Sequence, residues 1–113
     1  MDKFTEAFFT ALFWSSTTEH GEPMDQKYGV QHLDDTIRHV LESECERFQR
    51  ENAALLAGLD SSQCGHDFAL TRNHHGAGFW DRGLGPIGDA LTTASHAYGQ
   101  VDLYVGDDDK VYC

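Results

Sequence analysis

Residues 64–82 read CGHDFALTRNHHGAGFWDR, and the conformation assigned to them decides the fold. The run Asp67-Phe68-Ala69-Leu70-Thr71-Arg72 is short and partly alternating in polarity, the pattern of a half-buried strand. Gly78-Phe79-Trp80-Asp81 suits an antiparallel return, with residues 73–77 as the connection. An Arg72–Asp81 pair would clamp the two strands. A β-hairpin is therefore expected in the middle of the chain.

On its C-terminal side, Gly83-Leu84-Gly85 breaks the pattern and Pro86 suits the first residue of a helix. Ile87, Ala90, Leu91, Ala94 and Tyr98 form its apolar face, and Gly99 ends it. Val101, Leu103 and Val105 then alternate with Asp102 and Tyr104, Gly106 to Asp109 turns the chain, and Lys110 to Tyr112 returns it. On the N-terminal side, residues 3–14 place Phe4, Ala7, Phe8, Ala11 and Leu12 at helical spacing, with Phe9, Phe13 and Trp14 widening the stripe. A helix so apolar needs cover from the rest of the fold or from a partner. Ser15 to Gly29 reads as a long loop, which is either functional or mobile. A second helix starts near Asp34 or Asp35 and carries Leu33, Ile37, Val40, Leu41, Cys45, Phe48, Leu55, Leu56 and Leu59 along one face. Glu46 and Arg50 stand at i,i+4 on the other face, and Gly58 is placed to cap the end. The expectation is a single α+β domain over 1–113: two N-terminal helices, then a β-hairpin, a helix and a β-hairpin forming a small antiparallel sheet.

A length of 113 residues suits one modest core. Nineteen acidic against eight basic residues give a formal charge of −11, spread over both halves of the chain. Gripping nucleic acid or an anionic membrane requires a cationic face, so direct binding to either is not expected. No apolar run approaches the roughly 20 residues of a membrane span, and the opening Met1-Asp2-Lys3-Phe4-Thr5-Glu6 has an acidic residue where a signal peptide would begin its apolar stretch. Cys45, Cys64 and Cys113 are odd in number and lack ligand spacing, which fits a reducing compartment. The reading is a soluble intracellular protein.

Two surfaces are candidates for binding. Arg72, Asn73, His75, Trp80, Asp81 and Arg82 combine polar groups, neighbouring glycines and a flat aromatic wall, as ligand loops do. Glu42, Glu46, Asp107, Asp108 and Asp109 form a candidate acidic surface able to imitate phosphates before a cationic target. Cys64, His66, His74 and His75 are the ligand types zinc favours, but not at zinc-finger spacing, so no metal and no cofactor is assigned. His66 with Asp67, or His75 with Asp81, would supply a base and its orienting carboxylate, and Cys64 beside His66 is the one hint of a thiolate pair. No nucleophile elbow, phosphate loop or zinc-protease motif accompanies them, and no catalytic residue is assigned.

The strings HDFALTRN (66–73) and HGAGFWDRG (75–83) resemble a family of small uncharacterised proteins encoded by bacteriophages and mobile elements. The likeness extends through Leu84-Gly85, Gly88-Asp89, Leu91-Thr92 and residues 101–107, and at the N-terminus through Phe4 to Ala7 and Leu12 to Ser16. Ala69 and His74 stand where a tryptophan and a glycine are expected. The first implies a smaller side chain under the hairpin, and the second counts against a strict positive-φ turn. The resemblance implies phage origin and action in the cytoplasm of the infected bacterial host, with no established activity. Together with small size and acidity it leads to an accessory protein that binds and inhibits a host macromolecule, above all a defence system of CRISPR or restriction type. The partner would be a host or phage protein, such as part of a nucleic-acid-handling complex. Two other readings stay open: a small-ligand or metal-dependent enzyme built on Arg72, Asn73, His75 and Asp81, or a self-associating regulatory protein that dimerises through its first helix.

Overall fold

A computed structural model describes residues 1–113. Helix α1, Lys3–Trp14, begins at an Asp2 N-cap whose carboxylate accepts a 2.8 Å hydrogen bond from the Thr5 amide. Seven of its residues, among them Phe4, Phe8, Phe9, Leu12 and Phe13, are buried within the chain itself. The long connection that follows is pinned and not free. Thr17 bridges Pro23, the Met24 amide donates to Ser16 O at 2.9 Å, and the Met24 side chain is fully buried in the core. Single 3₁₀ turns at Met24–Gln26 and Val30–His32 lead into the next helix.

Helix α2, Asp35–Glu51, has Asp34 as its N-cap, accepting from the Ile37 amide at 3.1 Å. Leu41, Cys45 and Phe48 face inward. Val40, expected on that same face, is instead about half exposed, because it lies one residue off the buried stripe. The helix breaks at Asn52, and a single turn, α3 (Ala53–Leu56), continues the chain to Gly58 at φ +80°, which closes it as expected of a C-terminal glycine.

The central hairpin is not formed. Residues 67–72 belong instead to helix α4, Ser61–Arg72, so the chain is mostly helical and not an α+β domain with two hairpins. Two physical facts explain the difference. Asp60 caps α4 by accepting the Gln63 amide at 2.8 Å, giving the helix a firm start six residues before the apparent strand. The helix is also enclosed on nearly all sides: Cys64, Gly65, Asp67, Phe68, Ala69, Leu70, Thr71 and Arg72 are all buried. A helix buried all round shows no 3.6-residue periodicity, and a short stretch of it is indistinguishable from a strand. Gly78 to Asp81 forms a 3₁₀ turn (Phe79–Asp81) that packs on α4, the Phe79 amide donating to Thr71 Oγ1 at 3.1 Å. Ala69 therefore lies inside a helix and not beneath a hairpin. His74 does adopt the left-handed conformation that glycine favours, at φ 53°.

Helix α5, Pro86–His96, begins with Pro86 as expected. Only the C-terminal hairpin survives of the expected sheet: β1, Tyr104–Val105, pairs antiparallel with β2, Val111–Tyr112, in the register Tyr104↔Tyr112 and Val105↔Val111. Val111 also bridges Leu33, which docks the hairpin on the entrance to α2. No helix is long and apolar enough to cross a membrane.

The core is aromatic. Phe48 stacks on Phe68 at 4.1 Å between ring centroids, and Phe4, Phe8, Phe79 and Tyr98 surround that pair. Helices α1 and α4 make the most extensive contact in the molecule, and Gly65 permits it. A methyl group at that position would overlap the backbone carbonyl of Phe4. Helix propensity favours alanine over glycine by about 1 kcal/mol, but the overlap is with backbone and cannot be relieved by a rotamer change. Gly65→Ala is therefore expected to destabilise the protein by about 1–3 kcal/mol, measured by urea unfolding. Equal or greater stability would mean that the two helices do not approach this closely.

Candidate functional site

The polar residues of 64–82 separate into an internal set and an exposed set. Arg72 is internal, only 3% exposed. Its Nε donates to Gly99 O at 2.9 Å and its Nη2 to Tyr98 O at 3.0 Å, which holds the C-terminus of α5 against α4. Its Nη1 lies 2.8 Å from Glu44 Oε1, an ion pair held by charge, since the N–H does not point along the contact. The guanidinium also sits over the rings of Phe68, Tyr98 and Phe8, at 5.2, 5.5 and 5.8 Å. Arg72 and Asp81 consequently form no clamp. Asn73 is the second strut: its amide donates to Val101 O at 3.0 Å and its carbonyl accepts from Val101 N at 2.7 Å.

Asp67 is 2% exposed and is neutralised by Arg82, which reaches it through a fork: Nε to Oδ1 and Oδ2 at 3.1 and 3.2 Å, and Nη2 to Oδ1 at 2.9 Å. Gln63 Nε2 adds a further bond to Asp67 Oδ1 at 3.0 Å. That pair ties the loop after the 3₁₀ turn to the middle of α4. His66 Nδ1 is 3.8 Å from Asp67 Oδ1, beyond hydrogen-bond range, and has no other partner. The carboxylate is thus committed to Arg82 and does not orient the imidazole. Asp81 is exposed and caps the 3₁₀ turn, accepting the Gly78 amide at 3.1 Å, and its second contact is Arg82 Nε at 3.9 Å.

His75, Trp80 and Arg82 keep exposed surface. Trp14, at the end of α1 and about half exposed, lies between the rings of His66 and His75, at 5.9 and 5.8 Å. This patch brings together residues 14, 66 and 75, and the sequence does not reveal the part of Trp14 because its neighbours assign it to the apolar stripe of α1. His74 turns away and stacks on His96 at 4.3 Å. No three His, Cys, Asp or Glu side chains converge to hold a metal ion. Beside the patch, α1 and the start of α4 border an open groove of about 520 Å³ whose walls include Lys3, Glu6, Gln63, His66 and Arg82.

The acidic candidates lie along α2 and at the hairpin turn. Glu42 pairs with Arg38 at 3.4 Å, and Glu46 pairs with Arg50 at 3.4 Å as expected. Asp107 is exposed and makes no side-chain contact. Asp108 closes its own turn, accepting Tyr112 Oη at 2.6 Å and the Lys110 amide at 3.1 Å. The hydrogen bond from the Tyr112 hydroxyl is the main reason that the Asp108 carboxyl stays below the ordinary range, while the same bond pushes the Tyr112 phenol up to about 12. Asp109, at φ 62°, accepts a long bond from Tyr28 Oη at 3.4 Å. The hairpin also adjoins the N-cap of α2, since the Asp34 amide donates to Val111 O at 2.9 Å.

Comparison with protein-family models, curated proteins and solved structures finds no match to this chain. The geometry alone speaks for the site.

Two outcomes follow from it. Arg82→Gln leaves the buried Asp67 carboxylate without its cation. Because Arg82 is itself about one-third exposed, the loss is expected near 2 kcal/mol, below that of a fully buried pair. A double-mutant cycle with Asp67→Asn should recover part of it, and additive losses would show that the fork contributes nothing. The thiols give the second. Burial pushes Cys45 up to about 12 and Cys64 up to about 11, which leaves no thiolate at Cys64 for His66 to use near neutral pH. Cys113 is the exposed thiol. Iodoacetamide at pH 7.5 should alkylate Cys113 alone in the native protein and all three only in denaturant, and rapid native labelling of Cys64 would contradict this placement.

Proposed function

We propose that the protein is a non-enzymatic binding protein of phage origin that acts in the cytoplasm of the infected bacterial host. Its target is a cationic surface on a host macromolecule, above all a nucleic-acid-handling defence complex of CRISPR or restriction type. One observation carries the reading: all five arginines are held by the chain's own carboxylates. Arg38 pairs with Asp35 and Glu42, Arg47 with Glu51, Arg50 with Glu46, Arg72 with Glu44, and Arg82 with Asp67. The cations outside these pairs are Lys3, Lys27 and Lys110, against a formal charge of −11. Such a surface repels nucleic acid and attracts the proteins that bind it, accelerating encounter by long-range attraction that salt screens. The resemblance of residues 66–83 to phage-encoded proteins supports the setting. Arg72 and Asn73 are spent on the fold, which supports binding over the catalytic use of these residues.

Expression of the chain in strains that each carry one restriction or CRISPR system is expected to raise the plating efficiency of a targeted phage on at least one of them. Asp107→Asn with Asp109→Asn and Glu46→Gln, all exposed and dispensable for the core, should reduce that effect and the salt dependence of partner capture, by about tenfold in association rate at low salt. No rise on any strain, together with no salt-sensitive partner, would overturn the reading.

A further inference from the structure

Two histidines distant in sequence meet at the surface where α4 ends. His74 follows the Asn73 C-cap of α4, and His96 is the last residue of α5. Their imidazoles stack with ring centroids 4.3 Å apart and planes inclined by 26°. Both residues are exposed. Neither imidazole enters a hydrogen bond or an ion pair within the chain, unlike His32, which accepts the Gly29 amide at 3.0 Å. The backbones beneath the pair are held from the interior. Arg72 donates to Gly99 O and Tyr98 O, and Asn73 exchanges two bonds with Val101, so the segment before His74 is tied to the segment after His96. His74 itself stands at φ 53°, a conformation that costs an L side chain free energy and glycine almost none. Packing does not ask for an imidazole at an exposed position of this kind, so a strained one points to a use outside the fold.

Imidazole nitrogen is a ligand for borderline transition metals, and two nitrogens on one zinc ion, each at about 2.0–2.1 Å, stand roughly 3.3 Å apart. The ring separation of 4.3 Å is within about 1 Å of that spacing. Ring lone pairs lie in the ring plane, so two stacked rings present theirs side by side. Rotation about χ2 then turns one nitrogen of each toward a common ion, and exposure leaves both rings room to rotate. The fixed backbones lower the entropic cost of gathering the two ligands. We propose that His74 and His96 chelate a divalent transition-metal ion of the zinc, nickel and copper class, with water completing its coordination. No third His, Cys, Asp or Glu joins them, so the ion keeps open positions. The site uses neither the acidic surface nor the target proposed above, and its test is independent of theirs.

The probe is Zn²⁺, titrated at pH 7.5 into the full, untagged ¹⁵N-labelled chain with Cys113 first blocked by iodoacetamide. One equivalent is expected to bind and to shift the ring nitrogens of His74 and His96. His74→Gly should weaken binding roughly tenfold or more, because one ligand remains where two acted together. Its Tm should be unchanged or raised, because glycine suits the backbone at that position, so a loss of binding is not a loss of fold. His96→Gln should weaken binding to the same extent, while His75→Gln, exposed and adjacent, should bind as the wild type does. Absence of Zn²⁺ binding up to millimolar concentration, full binding by His74→Gly, or shifts confined to other histidines or to residues 107–109 would overturn the proposal and leave the pair as a stacking contact only.

Discussion

The carbonyl of Phe4 lies against the backbone of Gly65, and most of the architecture depends on that approach. With α1 and α4 in backbone contact, Phe4 and Phe8 on one helix reach Phe68 on the other, and Phe48 of α2 completes the group by stacking on Phe68. α4 thereby becomes the axis of the molecule, covered by α1, by α5 and by the 3₁₀ turn at Phe79–Asp81. A central helix in so small a chain cannot present a polar face to water, so its polar residues must be satisfied inside. That is what Asp67, Thr71 and Arg72 do: each is buried and each is bonded to a segment distant in sequence. These bonds close the loops that follow α4, and the packing at Gly65 therefore sets the fate of the polar residues up to Arg82.

This constraint also explains which parts of the fold are legible in the sequence. α1, α2 and α5 each keep a polar side, and the terminal hairpin keeps its alternation, so their periodicity and caps are visible along the chain. α4 has no polar side to show. Its one local signal is the stretch Asp60-Ser61-Ser62-Gln63, an acidic N-cap with glutamine three residues on, which resembles a capping box and lies in a stretch easily taken for a link. The candidate site is legible in composition more than in role. His, Arg, Asn, Asp and Trp side chains do gather in 64–82, yet whether Arg72 faces a ligand or a carbonyl depends on Tyr98 and Gly99, just beyond α5 and more than twenty residues away. The contribution of Trp14 to the His66 and His75 patch has the same origin: it arises from the α1–α4 contact, which no local pattern records.

The internal use of charge has a consequence at the surface. Burying Arg72 and half-burying Arg82 removes two cations from the exterior along with their carboxylate partners, Glu44 and Asp67. Removing a neutral pair leaves the net charge unchanged but concentrates it, because the same excess of carboxylates is displayed with fewer opposing charges among them. On α2 the remaining arginines are matched within one helical turn by Asp35, Glu42, Glu46 and Glu51. Unmatched carboxylates therefore lie elsewhere: at the hairpin turn, near the start of α2, and along α1 and the chain that follows it.

α1 consequently has two roles set by one sequence pattern. Its inner face supplies the phenylalanines that α4 requires, and a second flank carries others that a different segment has to cover. Phe9 and Phe13 are hidden as well, because the loop pinned by Met24 comes alongside α1 and brings Tyr28 and Val30 with it. This flank is anchored from both sides, since α1 is held by the core and the loop by the buried Met24 side chain. Rigidity matters for a small binding protein, because a preformed surface spares the ordering entropy that a flexible one must lose on association. The stability of the core and the anchoring of this flank therefore have a common source in the packing of α1 against α4.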